Sequence, residues 1–386
     1  MAGKRKRLAQ RRKACGYTQE TFAEALPVDR STVQRWERGE VDPQPHQRPR
    51  MAKLLLIAPE ELNELLGFDS LPGAERLPVI NGDKGSGFAH AIREMSGQLI
   101  VLDNEMNGLP IADAAVHAYK AVHRRIGSGD YDQKVERDIH SASAELAEIA
   151  GWALFNAGEF EASRRFNQEA LFLAGLCGDR SIELITLQNQ ALLSGWSGRP
   201  REELAIARSV LENGRLASRI EAIFRAREAQ GLAGSGRISE ADKAFKKARS
   251  LLQESVPDDV PSWAWWITER EIDRQEGRAL QESGNTHQAI LILERAMEQT
   301  AGTHVGYRNV AAVRLLACLL KEKVWQAAEG EAAKLAPAIG EMSSIVSLKL
   351  LSNISRRGKE LTGAPIGLRD VLHEITGAID GDPYAL

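Results

Sequence analysis

Residues 18–39, TQETFAEALPVDRSTVQRWERG, predict two short helices joined by a tight turn. The first helix begins near Thr18, whose hydroxyl can accept a hydrogen bond from a backbone N–H that has no intrahelical partner. It ends before Pro27, because a proline disfavours helical geometry in the residue that precedes it. The second helix runs to about Glu37 and is stopped by Gly39, at a position that favours a left-handed residue.

The second helix of this pair has one apolar and one polar face. Val33 and Trp36 are spaced i, i+3 and are expected to face the interior of the domain. The residues on the opposite face are Arg30, Ser31, Gln34 and Arg35. Arginine can donate two hydrogen bonds to a guanine edge, and glutamine can form a similar pair with adenine. Taken alone, this pattern leaves two interpretations open: a surface that contacts DNA bases, or an ordinary solvated helix face.

The distribution of charge favours the DNA-contacting interpretation. Residues 1–50 contain 12 Lys+Arg and 6 Asp+Glu, a balance of +6, whereas residues 51–386 contain 38 and 47, a balance of −9. A basic segment on an otherwise acidic chain is typical of nucleic-acid binding by that segment alone. Residues 4–15 predict a first helix, whose basic side chains would add contacts to the DNA backbone without sequence information.

The segment from about Lys6 to Leu66 resembles the helix-turn-helix domain of the Cro/C1 (Xre-type) repressor family. The matching residues are Arg12, Gly16-Tyr17-Thr18-Gln19, Phe22-Ala23, Val28, Ser31-Thr32-Val33 and Trp36-Glu37-Arg38-Gly39. The resemblance implies a five-helix domain that places the second helix of the pair in the major groove. Pro27 departs from the family pattern, in which a small turn residue, often glycine, is common at this position.

The resemblance also implies roles for individual residues. The residues expected to contact DNA are Gln19, Arg30, Ser31, Thr32, Gln34, Arg35 and Arg38, to which the basic first helix adds Arg11. Arg38 is expected to contact a phosphate. Arg12 and Glu37 are expected to form an ion pair inside the domain, a structural role.

Composition limits the class of protein. The chain has 386 residues, of which 43% are hydrophobic and 27% charged, an ordinary soluble composition with enough length for two or more domains. Its three cysteines, Cys15, Cys177 and Cys318, are scattered, which favours a reducing cytosol over a disulfide framework or a zinc site. No apolar run approaches the roughly 18 residues of a membrane span, and the basic N-terminus lacks the apolar stretch of a signal peptide. We therefore expect a cytoplasmic protein without a membrane partner.

The sequence contains no recognisable catalytic or metal-binding pattern. His117 and His123 would lie on different faces of a helix, and neither H-E-x-x-H nor G-x-S-x-G occurs. We therefore expect a protein that is not an enzyme and that uses no cofactor and no metal.

A stretch rich in proline and glycine, LPGAERLPVINGDKGSG at residues 71–87, predicts an interdomain linker. It would separate a DNA-binding domain at residues 1–70 from a second domain at residues 88–386. Its GDKGSG segment lacks the G-x-x-x-x-G-K-[ST] spacing of a phosphate-binding loop.

The second domain contains an internal repeat of helical pairs. Glycine turns occur at Gly158, Gly198, Gly236 and Gly284, at intervals of 38 to 48 residues, and a fifth turn without glycine is expected at Glu322. The pattern resembles the tetratricopeptide repeat with longer helices. The predicted fold class is all-α, with a five-helix helix-turn-helix domain followed by a right-handed α-solenoid of tetratricopeptide-like hairpins.

The resemblance to tetratricopeptide repeats places part of each first helix on a concave surface. The ligand-binding residues expected there are Glu148, Trp152, Asn156, Gln188, Trp196, Gln230, Arg274, Arg278 and Asn309. Amides can pair with an extended backbone, and two arginines one turn apart suit a carboxylate or a phosphate. The alternative interpretation is that the tryptophans pack between helices and that the arginines are solvated.

The two parts together resemble the peptide-responsive regulators of Gram-positive bacteria and the actinobacterial Xre-type regulators with a helical-repeat tail. The resemblance implies a homodimer that binds double-stranded DNA at an inverted repeat. A signalling peptide or small molecule would bind the repeats and control operator binding. The alternative is a tetratricopeptide scaffold that binds a protein partner, with the small domain as a tether to DNA or protein.

Overall fold

The protein is described by a computed structural model. The described residues are 5–26, 28–39, 43, 48–55, 57, 62, 65–66, 86–105, 111–129, 131–255, 261–298, 305–342 and 344–381. The chain forms two compact units, Met1–Val79 and Ile80–Leu386. The described residues contain helices and no strand, so the all-α prediction is confirmed. No helix among them is long and apolar enough to cross a membrane.

Four helices of the first unit are described. They are α1 (Lys6–Ala14), α2 (Gln19–Ala25), α3 (Arg30–Arg38) and α4 (Arg48–Leu55). The last helix of the expected five-helix domain would follow α4, where the structure describes only residues 57, 62 and 65–66 of the segment up to residue 66. So does residue 27, at which the turn geometry was in question.

Reciprocal caps fix the start of α2, as its sequence predicts. The Thr18 hydroxyl accepts a hydrogen bond from the backbone N–H of Thr21 at 3.1 Å, and the Thr21 hydroxyl accepts one from the backbone N–H of Thr18 at 2.9 Å. At the end of α3, Gly39 is left-handed with φ 70°. Between these ends, Val33 and Trp36 are each 1% exposed and hold α3 against the core of the unit.

The second unit contains fourteen described α-helices. They are α5 (Ser86–Glu105), α6 (Ala112–Gly127), α7 (Glu136–Asn156), α8 (Phe160–Cys177), α9 (Arg180–Trp196), α10 (Pro200–Glu212), α11 (Ser218–Gly234), α12 (Ile238–Gln253), α13 (Glu269–Glu282), α14 (Thr286–Glu298), α15 (Val305–Lys321), α16 (Trp325–Leu335), α17 (Ile345–Arg356) and α18 (Ile366–Asp380). Helix α5 begins at Ser86, inside the predicted linker of residues 71–87. Residues 71–85 of that linker lie outside the described residues.

Five hairpins, α7/α8 to α15/α16, turn through a residue with positive φ. Four of these residues are the glycines of the predicted repeat, with φ between 72° and 87°. In the last hairpin the left-handed residue is Lys323, with φ 59°, the only non-glycine with positive φ among the described residues. The predicted turn at Glu322 was therefore placed one residue too early, because no glycine marks the position.

Glycines inside the first helices let neighbouring helices approach closely. A Cβ atom at Gly277 would overlap the side chain of Leu293, and one at Gly151 would overlap Asn167. At Gly231 the obstacle would be the backbone of Leu204. A larger residue at Gly151 or Gly277 would displace a side chain, whereas at Gly231 it would displace a neighbouring helix.

The first helices of the hairpins form a closed row. Helices α7, α9, α11, α13 and α15 contact one another in succession, and α17 contacts both α15 and α7. The sequence predicts a concave surface formed by the first helices of the repeats. Instead α17 continues the inner row and brings it back to its start, so the six helices surround a space.

Candidate functional site

The polar residues of α3 lie opposite its buried side. The exposed ones are Arg30, Ser31, Arg35 and Arg38, and the half-buried ones are Thr32 and Gln34. The side chain of Arg35 makes no hydrogen bond or ion pair with another described residue, so its guanidinium is available to a partner outside the chain.

The carboxylate of Glu37 fixes the orientation of three helices. Its Oε1 accepts a hydrogen bond from Arg12 Nε at 2.7 Å, and its Oε2 accepts one from Gln19 Nε2 at 2.6 Å. The Arg12 side chain is 4% exposed and also donates to the carbonyl of Tyr17 at 2.5 Å. The Arg12–Glu37 pair therefore has the structural geometry that the resemblance implied, and Gln19, expected to contact DNA, donates its amide to that pair.

Two other predicted DNA contacts also have partners within the unit. Arg11 Nε donates to the carbonyl of Leu55 at 2.9 Å, which ties α1 to the end of α4. Arg30 pairs with Glu20 at 2.8 Å, with both side chains more than half exposed. Exposed pairs of this kind exchange easily with water or phosphate.

A cavity of about 310 Å³ lies inside the closed row of helices. Seven of the nine predicted ligand-binding residues line it: Glu148, Trp152, Asn156, Gln188, Trp196, Arg274 and Arg278. A volume of this size is at the lower end of the range of small-molecule sites.

The other two predicted residues lie outside the lining. Gln230 is 3% exposed, and its Nε2 donates to the backbone carbonyl of Gln275 on the neighbouring α13, which covers it. Asn309 is 7% exposed, and the lining residue beside it is Val310. The one-residue error in the fifth turn accounts for this displacement.

A fixed offset from the turns identifies lining residues that sequence reasoning missed. In each of the five hairpins, the residue nine positions before the left-handed turn residue lines the cavity. These residues are Ile149, Asn189, Arg227, Gln275 and Arg314. Three of the predicted residues, Glu148, Gln188 and Arg274, stand immediately before members of this set. The offset is the same in all five hairpins, so the spacing of the turns is the sequence signal that marks these residues.

One wall of the cavity is aromatic. Trp152 stacks on Phe155 with ring centroids 5.5 Å apart, and Phe155 meets Trp196 edge-on at 6.0 Å. Both tryptophans pack on neighbouring aromatic rings and also line the cavity. A short 3₁₀ helix, Ser262–Trp266, adds further aromatic rings from the segment before α13.

A chain of hydrogen-bonded side chains runs from one first helix to the next. Glu148 accepts from Asn189 Nδ2 at 2.6 Å, and Asn189 Oδ1 accepts from Gln188 Nε2 at 2.8 Å. Gln188 Oε1 in turn accepts from Arg227 Nε at 2.9 Å and Nη2 at 2.6 Å. Burial raises the pKa of Glu148 to about 7, although the hydrogen bond from Asn189 opposes this shift.

The chain continues from α11 to α13. Arg227 Nη1 donates to Gln275 Oε1 at 2.9 Å, and Gln275 Nε2 donates to Glu271 Oε1 at 2.5 Å. Glu271 forms an ion pair with Arg274. The charge of Arg274 is therefore compensated within α13.

A second pair of arginines lies against Trp196. The guanidinium carbons of Arg278 and Arg314 lie 4.7 and 5.0 Å from the centroid of its ring system. Glu282 Oε1 accepts from Arg278 Nε at 2.9 Å and from Arg314 Nη2 at 3.2 Å. The sequence predicted Arg274 and Arg278 as the anion-binding pair. In the structure Arg274 pairs with Glu271 instead, and Arg278 lies beside Arg314.

The described residues contain no group of three or more His, Cys, Asp or Glu side chains arranged to hold a metal ion. The polar groups of the cavity are amides, carboxylates and guanidiniums. Such groups can bind and orient a ligand through hydrogen bonds and charge.

Comparison with known families matches residues 5–65 to a family described as a helix-turn-helix domain. The matched segment lies within the first unit and contains α3. A search of curated proteins found no match to the chain. The first unit is therefore a helix-turn-helix domain, a fold that supports DNA binding.

Proposed function

We propose that the protein is a sequence-specific transcription regulator of the Xre type, in which α3 contacts bases in the major groove. The observation that carries the proposal is the polar face of α3, which is held in place by the Glu37 cluster within a matched helix-turn-helix domain. Arg35 and Gln34 would contact bases, and Arg38 a phosphate.

The proposed regulator acts as a homodimer on double-stranded DNA. A single helix-turn-helix domain contacts one half-site, and a two-fold dimer places two such domains on an inverted repeat. We place this dimer in the bacterial cytoplasm, in agreement with the scattered cysteines and the basic first unit. Catalysis, a metal and a cofactor have no part in the proposal.

The tetratricopeptide-like second unit would bind the signalling ligand, a peptide or a small molecule, in its cavity. The closed row of helices supports this role because it surrounds the space with aromatic, amide and charged groups. A ligand that binds one conformation of the unit more tightly than another shifts the population of dimers able to bind the operator.

A protein-binding scaffold remains the second candidate, supported by the outer surface of the second unit. Helix α8 exposes Phe172 (63%) and Leu176 (56%), which are one helical turn apart. A scaffold would lose a protein partner when these residues become polar, whereas a ligand-controlled regulator would keep its DNA response.

The test is a selection of duplexes from a random pool by the full-length protein, at about 150 mM salt to suppress purely electrostatic binding. We expect a palindromic motif. The double variant Gln34→Ala/Arg35→Ala should lose the motif, because its base contacts are removed. Arg35→Ala alone should cost about 1–3 kcal/mol and relax the sequence at one base pair.

The matched control is Arg357→Ala, which removes one exposed positive charge from the second unit and should leave the motif unchanged. An equal loss of affinity for all sequences in Arg35→Ala would make that residue a phosphate contact. No enrichment by folded protein, with or without added cell extract, would contradict the regulator and favour the scaffold. Denaturant extraction followed by mass spectrometry identifies any molecule that copurifies.

A further inference from the structure

We propose that Arg278 and Arg314 bind a single carboxylate of the ligand, and that the rest of the ligand is uncharged and largely apolar and lies along the aromatic wall. The inference rests on the proposed function in one respect only, namely that the cavity holds a ligand. It assigns the chemical class of that ligand and the end of the cavity at which its charge is bound.

The two arginines converge although they belong to different hairpins. They extend from α13 and α15, which are adjacent in the closed row, and both guanidiniums lie within about 5 Å of the Trp196 ring system. Planar guanidiniums bind carboxylates through two parallel hydrogen bonds, and an aromatic ring restricts their orientation. The indole therefore holds two guanidiniums side by side. Arg314 also donates from Nη1 to Gln281 and from Nη2 to Glu282.

The charge of this pair is only partly compensated. Glu282 is the only carboxylate that forms hydrogen bonds with either guanidinium among the described residues, and the Arg278 and Arg314 side chains are 6% and 9% exposed. The carboxylate of Glu203 also attracts Arg278, but burial raises its pKa to about 7 and so favours its neutral form. Arg278 Nη1 is buried and donates no hydrogen bond to a described residue. Burial and the neighbouring Arg278 lower the pKa of Arg314 to about 10, as expected where two positive charges are held together away from water. One further negative charge would balance the group.

The same balance favours a carboxylate over a phosphate. A carboxylate brings one negative charge, which matches the single uncompensated positive charge. A phosphate dianion would bring an excess negative charge into a cavity that is also lined by Asp103, Glu148 and Glu271. A charge buried without a partner is strongly unfavourable.

The remaining surface indicates what the rest of the ligand resembles. Trp152 and Trp196 offer aromatic faces, and the amides of Gln188, Asn189 and Gln275 also line the cavity. Aromatic faces suit an apolar group, and amides suit a peptide-like carbonyl or N–H. A short acylated peptide with a free C-terminus and an aromatic or branched side chain combines these features.

The test measures binding by the full-length protein in the absence of DNA. The probes are N-acetyl dipeptides with an aromatic or branched second residue, each prepared as the free acid and as the primary amide. Binding is followed by thermal shift and by ligand-detected NMR. We expect at least one free-acid peptide to bind, and its primary amide to bind about 10–100-fold more weakly. This ratio corresponds to the loss of a hydrogen bond to a charged group.

Variants locate the effect. Arg314→Gln should abolish the difference between acid and amide, and Arg278→Lys, which keeps the charge but loses the forked donor, should reduce it. Arg270→Gln, on the same helix as Arg278 but outside the cavity lining, should preserve it. If circular dichroism shows that Arg314→Gln is unfolded, the test is the smaller difference between acid and amide binding in Arg278→Lys.

Three results would overturn the inference: equal binding of acids and amides, no binding by any acid, or tighter binding of phenyl phosphate than of the best acid. Because DNA is absent, these results are independent of the duplex selection. Selective acid binding without a DNA motif would reject the regulator and keep the carboxylate site. A DNA motif without acid binding would support the regulator and reject the carboxylate site.

Discussion

The carboxylate of Glu37 accepts hydrogen bonds from α1 and α2 while it belongs to α3, so a single side chain holds three helices in register. Arg12 and Glu37 are 4% and 9% exposed, so their pairing is shielded from water and salt. The geometry of the face that we propose to contact DNA therefore depends on a residue whose own hydrogen bonds are made within the unit.

Glu37→Ala should destabilise the first unit by about 3–5 kcal/mol, because it leaves the Arg12 guanidinium buried without its partner. Urea denaturation, followed by hydrogen exchange of the α3 amides, measures the change in the midpoint of the first unit. Glu20→Ala removes the exposed partner of Arg30 and should leave the midpoint unchanged. Equal midpoints for wild type and Glu37→Ala would show that the pair contributes no net stability.

Glu148 gives the second unit a pH-dependent stability. Burial raises its pKa to about 7 from an ordinary 4.5, so the folded protein holds this proton more tightly than the unfolded chain. The contribution of Glu148 to stability is therefore complete below about pH 4.5 and falls by about 3 kcal/mol as the pH rises to 7. Burial also raises the pKa of Glu203 to about 7, so this residue too contributes stability that is lost as the pH rises.

Glu148→Gln should make the unfolding temperature less dependent on pH between 5 and 7.5. Glutamine keeps an oxygen that can accept from Asn189 but cannot ionise. Thermal unfolding at several pH values measures the slope for the wild type and the variant. An unchanged slope would assign the pH dependence to Glu203 or to other groups.

At the scale of helical elements, the five hairpins share a turn geometry but not a turn residue. Four turns use glycine, and the fifth uses Lys323 at φ 59°. A left-handed conformation costs a residue with a Cβ roughly 1–2 kcal/mol. The last hairpin therefore contains a local strain that the other four lack.

Lys323→Gly should stabilise the second unit by about 0.5–1 kcal/mol. The variant relieves the strain of the left-handed conformation, and the greater backbone entropy of glycine in the unfolded chain offsets part of that gain. Differential scanning calorimetry detects the rise. The converse variant, Gly284→Ala, should destabilise by about 1 kcal/mol through the backbone alone, since no atom lies within 4 Å of an added Cβ. A fall in stability for Lys323→Gly would mean that its side chain makes a compensating contact.

Local patterns in the sequence predicted the elements well and their long-range arrangement poorly. The cap at Thr18 and the glycine turns act within a few residues, so helices and hairpins could be inferred from them. Arg278 and Arg314 meet because neighbouring hairpins pack against each other. No local pattern indicates that Arg274 pairs with Glu271. The contact of α17 with α7 joins segments far apart in sequence, and the pattern of hairpins alone does not indicate closure.

At the scale of the second unit, closure of the inner row changes how stability is shared. In an open array, each hairpin depends on its neighbours and the ends open first. Here α7 contacts α17 as well as α9, so neither end of the inner row is free. We expect opening of these helices to be cooperative.

Hydrogen exchange tests this expectation. Amides in α7, α11 and α15 should exchange with one shared opening free energy. Val346→Asp places a charge on α17 at a residue that is 7% exposed, and should accelerate exchange in α7 and α17 more than in α11. Leu291→Asp, at an exposed position of α14, should leave the protection unchanged. Faster exchange in α7 than in α11 of the wild type would indicate an open array.

The fixed offset of the cavity residues has an evolutionary consequence. Ile149, Asn189, Arg227, Gln275 and Arg314 occupy the same place in five hairpins, while the glycines and buried alanines that join the hairpins lie elsewhere. Substitution at these five places can change which molecule is recognised while the scaffold is retained. A combinatorial library restricted to them would sample new specificities, and descendants of a duplicated gene could diverge by the same route.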